Sequence, residues 1–323
     1  MNWLITGGCG FIGTNLVARL VKEGDHYVRI IDNLKSGSTE KLARVCSFGM
    51  PPRCHVEHGH VHLFIDDIVD ADFAKEICQD VDVIVHLAAN TGVPVSVEFP
   101  VEDCLNNVFG TLNYLEGARH AGVKKFIFAS SSAVPGDHEP PYHEKLFTKP
   151  ISPYGASKCS GEKYCYVYNE TYGVDTVALR FSNVYGPMSE NKYAQLISKF
   201  IQAAVSGETL EIYGDGSQTR DFCYVDDLID AIQLAVDMPV GGNIFQVATN
   251  VETSVQKITD LIIKGLSKYD IKNIKVKYGN ERPGDVKRNF SDTSKARNLL
   301  GWQNKVSIEE GIERTIKWYM EEL

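Results

Sequence analysis

The sequence predicts an α/β fold, a Rossmann-type doubly wound parallel sheet followed by a smaller α/β lobe, on three observations. Short apolar runs alternate with helical patterns over the first 180 residues. A glycine-rich turn joins the first run to the first helix, and the rhythm of elements changes after Asn183.

Trp3-Leu4-Ile5 reads as the first strand, and Phe11, Ile12, Leu16, Val17 and Leu20 recur at helical spacing until Gly24. Further strands are expected at Val28–Ile31, Val61–Ile65, Val81–Leu87, Phe126–Phe128 and Thr176–Arg180, with the two longest helices at 97–121 and 153–172. Such alternation implies a parallel sheet covered by helices on both faces. Beyond Asn183 helices are expected near 192–206, 226–237 and 254–268, around a Gly-rich stretch at Tyr213–Ser217. The boundary falls near residue 180, giving a first domain over 1–180 and a second lobe over 181–323. Segments around 220–250 are expected to return to the first domain.

At 323 residues the chain can bury a substantial core as one large domain or two modest ones. Its 33 Lys and Arg against 42 Asp and Glu leave a net charge of −9, which provides no basic footprint for nucleic acid. No apolar run is long enough to span a membrane, and the N-terminus has no signal-peptide pattern, so a cytoplasmic chain without a membrane partner is expected. Eight cysteines without a CxxC pair read as reduced thiols. Cys46, Cys54, His55, His58, His60 and His62 invite a metal reading, but their spacing fits no zinc template, and no metal is expected.

Gly7, Gly10 and Gly13 stand at i, i+3 and i+6 between strand and helix. Glycine allows a tight turn there and lets backbone N–H groups, including those of Phe11 and Ile12, approach a pyrophosphate at the helix N-terminus. Asp32 ends the second strand 19 residues after Gly13, where a carboxylate accepts from both ribose hydroxyls and selects NAD over a 2′-phosphorylated cofactor. Asp67-Ile68 after the third strand is a candidate for the adenine, and Ala88-Ala89 after the fourth for close passage of the cofactor.

Tyr154 and Lys158 lie four residues apart at the start of a helix and share one face. A lysine cation, together with a positive nicotinamide, would draw the phenol's pKa toward neutrality and make Tyr154 a base. That spacing also occurs on solvated helix faces. Ser130-Ser131-Ser132 after the fifth strand favours the chemical reading, because ligands of such sheets sit at strand C-terminal ends.

Together, Gly7, Gly10, Gly13, Asp32, the post-strand serine and Tyr154-x-x-x-Lys158 resemble the extended short-chain dehydrogenase/reductases. Further blocks are His86–Ala89, Asn107–Thr111, Arg180–Pro187, Tyr213–Phe222 and Arg282–Asp285. Within that family the chain is similar to nucleotide-sugar 4-epimerases of the UDP-hexose and UDP-N-acetylhexosamine type. The resemblance implies Ser131 as the catalytic hydroxyl, Tyr154 as the base and Lys158 on the nicotinamide ribose. It adds Asn33, Ser36 and Asn107 to the cofactor site. It also implies that Asn183, Arg220 and Arg282 approach the substrate diphosphate, with Ser96 and Ser132 near the sugar. Asn289 stands where a large tyrosine confines some epimerases to plain hexoses. A homodimer through the helices near 97–121 and 153–172 is implied as well.

Dehydratases of the family carry Thr-Asp-Glu after the fifth strand, whereas this chain has Ser131-Ser132-Ala133. It also has Pro135 where the family usually has tyrosine. A reductase, a 2-epimerase or a dehydratase on the same scaffold is the alternative reading, followed by an inactive NAD-binding sensor.

Overall fold

The structure, a computed structural model, describes residues 1–52, 60–190, 196–280 and 286–322. The chain opens with β1 (Asn2–Thr6), α1 (Phe11–Glu23), β2 (Tyr27–Asp32), α2 (Thr39–Ala43), β3 (Val61–Ile65), α3 (Ala71–Ile77) and β4 (Val83–His86). Next come α4 (Val93–Glu98), α5 (Pro100–Cys104), a π-helical turn (Leu105–Phe109), α6 (Gly110–Ala121), β5 (Lys125–Ser131), α7 (Pro153–Tyr172) and β6 (Thr176–Phe181). The rest comprises β7 (Asn183–Tyr185), α8 (Leu196–Val205), β8 (Leu210–Tyr213), β9 (Thr219–Arg220), β10 (Phe222–Tyr224), α9 (Val225–Asp237), β11 (Asn243–Val247), β12 (Thr253–Ser254), α10 (Val255–Ser267), β13 (Val276–Gly279), α11 (Ser294–Leu300) and α12 (Ile308–Glu322).

Seven parallel strands form the central sheet in the order β11-β6-β5-β4-β1-β2-β3. Side chains alternate across it with period two. Trp3 and Ile5 pack with α1 and α9 on one face, while Leu4 packs with α3 and α6 on the other. The chain moves outward from β1 to β3 and then returns to start β4 beside β1. That reversal opens a crevice between the C-terminal ends of β1 and β4, the usual ligand position in such sheets.

One finding differs from the expected elements. The helix expected at 97–121 starts at Pro100 and runs without interruption to Ala121, with a π-helical turn inside it and α4 as a separate piece before it. Pro100, at the start of α5, lacks the N–H that would continue α4, and the turn at 105–109 is wound more widely than an α-helix. In the stretch near 220–250, β11 pairs in parallel with β6, from Asn243 opposite Val177 to Val247 opposite Phe181, and so adds the seventh strand. A separate core gathers α8, α10 and α12 around Ile201, Ile258 and Ile316.

Among the described residues no helix is long and apolar enough to cross a membrane. Of the Cys/His-rich stretch, Cys54, His55 and His58 lie outside the described residues. His60 stacks on Tyr27, with ring centroids 5.7 Å apart.

Candidate active site

A cavity of about 760 Å³ runs from the crevice between β1 and β4 into the space beside β7 and β9. At its deep end the backbone of Gly7 turns with φ +73°, and Gly10 N donates to Gly7 O at 3.1 Å. No side chain caps α1, so the first N–H groups of that helix face the cavity with Gly10, Phe11, Ile12 and Gly13 in its lining. A methyl group on Gly7 would sit 2.9 Å from Ala88 N, which is how closely the two strand ends approach.

Asp32 is buried beside this turn. Its Oδ2 accepts from Cys9 N at 2.9 Å and its Oδ1 from Leu34 N at 2.8 Å. Burial raises its carboxyl above the ordinary aspartate range, while those two backbone donors oppose the rise. Each carboxylate oxygen keeps a further lone pair for a ligand hydroxyl. Asn33 and Ser36 continue the wall, and Ile68, Ala88 and Ala89 face them. This donor-rich, side-chain-free cradle with one carboxylate fits the pyrophosphate and ribose of a dinucleotide.

Asp67 is partly exposed and does not line the cavity. Its Oδ2 accepts from Asn33 Nδ2 at 2.9 Å, and Asp66 takes its place in the lining. Asn107 is buried behind the cavity, not on it. Its Oδ1 accepts from Asn90 N at 2.8 Å, and its Nδ2 donates to Asn90 O at 3.0 Å, so it fixes a loop that does line the site. Behind that loop, Thr6 Oγ1 accepts from Ala88 N at 3.0 Å and lies 3.0 Å from His86 Nδ1; His86 Nε2 lies 3.2 Å from Thr111 Oγ1. The Thr111 hydroxyl donates to Asn107 O at 2.7 Å, so it must accept from Nε2–H. Nε2 therefore carries a proton, Thr6 Oγ1 is free to donate to Nδ1, and burial, with the Lys158 cation, favours this neutral form by holding the His86 pKa down at about 3.

Midway along, Ser131, Tyr154 and Lys158 converge from β5 and α7. Ser152 caps α7, accepting from Gly155 N at 3.1 Å, and so fixes where the helix presents Tyr154. Lys158 Nζ donates to Ala129 O at 2.8 Å, and burial lowers the ammonium to about 8. Among the chain's own groups, burial raises the pKa of the Tyr154 phenol, opposed by a hydrogen bond with Ser131 and reinforced by Asp103. Lys158 Nζ lies 6.0 Å from the tyrosine ring centroid. Asp103 was not singled out from the sequence.

At the outer end, Ser132, Asn183, Arg220 and Asn289 share the wall with Tyr142. Asn183 Nδ2 and Arg220 Nη1 donate to the carbonyls of Asp221 (3.2 Å) and Val286 (2.6 Å). Asp221 turns inward, accepting from Thr249 N at 2.7 Å and Asn250 N at 3.0 Å. Tyr142 N donates to Phe290 O at 2.9 Å and Asp292 N to Tyr142 O at 2.8 Å, so Tyr142 and Asn289 belong to one stiff wall. Ser96 does not reach it. Its side chain is buried away from the cavity, and its Oγ donates to Val93 O at 2.8 Å. Arg282 lies outside the described residues. Pro135, in the loop after β5, accepts at its carbonyl from Lys149 N at 2.9 Å.

The two halves meet above the cavity. Lys41 of α2 donates to the carbonyls of Met188, at 3.1 Å, and Glu190, and Asn15 Nδ2 donates to Pro187 O at 3.1 Å.

Residues 4–315 match the family described as GDP-mannose 4,6 dehydratase. The chain belongs to the extended short-chain dehydrogenase/reductases. Within that family it is 37% identical over 324 residues to the UDP-glucose 4-epimerase of Mycolicibacterium smegmatis, covering 99% of this chain and 98% of the relative. A solved UDP-N-acetylglucosamine 4-epimerase from Methanobrevibacter ruminantium, in complex with UDP-N-acetylmuramic acid, superposes with TM-score 0.89 at 36% identity, over 100% of this chain and 99% of that one. The same score, at 29% identity and over 100% and 98% of the chains, relates it to a dTDP-glucose 4,6-dehydratase from Streptomyces venezuelae solved with NAD bound. The family resemblance therefore spans the whole chain and covers both epimerases and dehydratases.

Proposed function

We propose that this chain is an NAD-dependent isomerase that interconverts the C4 epimers of a UDP-hexose. One observation carries the choice of epimerisation over dehydration. Among the described lining residues the carboxylates are Asp32 and Asp66, both at the dinucleotide end, whereas Ser131, Ser132 and Ala133 surround Tyr154. Expelling a 6-hydroxyl needs an acid and a base near C5 and C6; epimerisation needs one base at O4.

Gly7, Gly10, Phe11, Ile12 and Gly13 would hold the NAD pyrophosphate, Asp32 the ribose, and Lys158 the nicotinamide ribose. Bound NAD would supply the carbon that takes up the C4 hydride and gives it back to C4 of the turned sugar, and the positive charge that would favour the phenolate. Tyr154 removes the O4 proton, and Ser131 hydrogen-bonds the same oxygen. Asn183 and Arg220, with Arg282, hold the diphosphate, so the 4-keto sugar turns over without leaving and presents its other face. Tyr154 then returns the proton. Ser132 and Asn289 would contact the sugar.

Enzyme incubated with UDP-glucose, UDP-N-acetylglucosamine or UDP-glucuronate is expected to yield a 4-epimer without added NADH, and Tyr154→Phe to retain NAD while losing about 10²–10⁴-fold in turnover. A requirement for stoichiometric NADH would overturn the reading.

The exposed stripe of Val101, Leu105 and Phe109, at 72, 48 and 55% exposure, supports a homodimer through α5, α6 and α7. Division of labour near residue 180, with α9 and β11 returned to the dinucleotide side, completes the proposal.

A further inference from the structure

Asp103 is a buried carboxylate that this mechanism leaves without a task. It lies near the end of α5, only 2% exposed, and its Oδ1 accepts from Asn107 Nδ2 at 2.9 Å. Its Oδ2 is buried without a hydrogen-bond partner. Burial raises its carboxyl above the ordinary aspartate range, and the Ser157 hydroxyl and the Lys158 cation oppose that rise, so the charge of this interior carboxylate depends on the cation that shares its surroundings. The path to one is short. Asn107 Nδ2 lies 3.2 Å from Ser157 Oγ, Ser157 Oγ donates to Tyr154 O at 3.0 Å, and the next residue is the buried Lys158.

We infer that Asp103 is a positioning residue for proton transfer at Tyr154: its negative charge, placed behind α7, keeps Lys158 a cation and restrains loss of the phenol proton. This rests on the reading of Tyr154 as the base. The electrostatics agree in sign, since Asp103 opposes the lowering of Lys158 by burial and adds to the raising of Tyr154.

The other titratable groups around the pair come from three elements. His86 of β4 is neutral down to about 3. Burial raises the Cys165 thiol of α7, and Glu162 of the same helix accepts from Arg180 at 2.7 and 2.8 Å and from Ser130 at 2.5 Å. Glu102, beside Asp103 on α5, pairs with Lys35 at the surface. Among the described carboxylates, Asp103 is the one whose charge reaches both Tyr154 and Lys158.

Asp103→Asn keeps the shape and an oxygen for Asn107 but removes the charge. Tyr154 and Lys158 then both release protons more readily, so the acid limb of the kcat profile moves to lower pH. At the foot of that limb the variant is expected to run, relative to its own maximum, about threefold faster than the unaltered enzyme. Asp103→Glu keeps the charge and should keep the limb in place.

A readout without turnover is near-ultraviolet titration of the phenolate, with Tyr154 isolated by difference against Tyr154→Phe. Its midpoint should move the same way in Asp103→Asn. A moved midpoint in an enzyme inactive on every sugar nucleotide would uphold this inference and sink the epimerase reading. A rate lowered equally at every pH with an unmoved phenol titration, or no change in either, would overturn the inference. Should Asp103→Asn fail to fold or to hold NAD, Asp103→Ser is read by the same two curves.

Discussion

Gly13 tests whether the turn after β1 works as a rigid cradle. A methyl group on it would lie 2.6 Å from the Cα of Gly8 and closer still to the carbonyl oxygen of Gly7. Carbon atoms normally touch at about 3.5–4.0 Å, so roughly 1 Å must open between the start of α1 and the turn. Alanine gains about 1 kcal/mol over glycine inside a helix. Against that, forcing a methyl group into packed surroundings costs about 1–3 kcal/mol, and here the obstacles are backbone, which cannot rotate away.

The net expectation for Gly13→Ala is a loss of up to about 2 kcal/mol, seen as a fall in Tm of up to about 8 °C. The effect on the cofactor should be larger, because shifting donor groups by roughly 1 Å can cost about 100-fold. Two assays suffice: a thermal melt, and the NAD released per chain on acid extraction of purified protein. Gly10→Ala is the control for stability. Its methyl group would meet only Gly7 O, at 3.2 Å, with φ already at −78°. It should therefore melt within about 2 °C of the unaltered protein. Gly13→Ala that retains a full complement of NAD and melts with the unaltered chain would refute the cradle argument.

His86, neutral in the fold down to about 3, is protonated in the unfolded chain below about 6.5. Stability should therefore fall as pH drops through that window, by up to about 2 kcal/mol between pH 6.5 and 5 from this one group; urea midpoints for the unaltered chain and His86→Asn should diverge near neutrality and converge at pH 5. Glu162→Gln strips the charge that pairs with the buried Arg180 and should cost about 3–5 kcal/mol in chemical denaturation. A loss under about 1 kcal/mol would mean that solvent reaches the guanidinium. Asn289→Tyr should selectively suppress activity on N-acetylated sugars, and an unchanged ratio of rates on UDP-N-acetylglucosamine and UDP-glucose would show that this wall position is not the gate.

The parts of the molecule legible in the sequence are those governed by local rules. The turn at Gly7–Gly13 needs a conformation and a closeness that only glycine provides, and α7 announces itself through Ser152, Pro153 and a closing Gly173. What stayed hidden depends on register or on distant partners. Asp66 and Asp67 are indistinguishable as neighbours, yet only the first lines the cavity. The spacing through residues 97–121 is helical throughout, and neither the break at Pro100 nor the wide turn changes it enough to show. Asn107 looks like a ligand group until its side chain is seen bound to Asn90. Asp103 carries no signal at all in the sequence, because its significance comes from helices that meet only in the folded state.

The seventh strand has a consequence for synthesis. β6 is buried along its whole length, yet the strand that covers its outer edge ends only at Val247. At roughly 5–20 residues per second, a nascent chain spends about 3–13 seconds with that edge complete but uncovered. Throughout that interval the emerging half is a sticky intermediate, open to pairing with a neighbouring chain or to capture by a chaperone. A cut at residue 180, where the rhythm of elements changes, would make this exposure permanent.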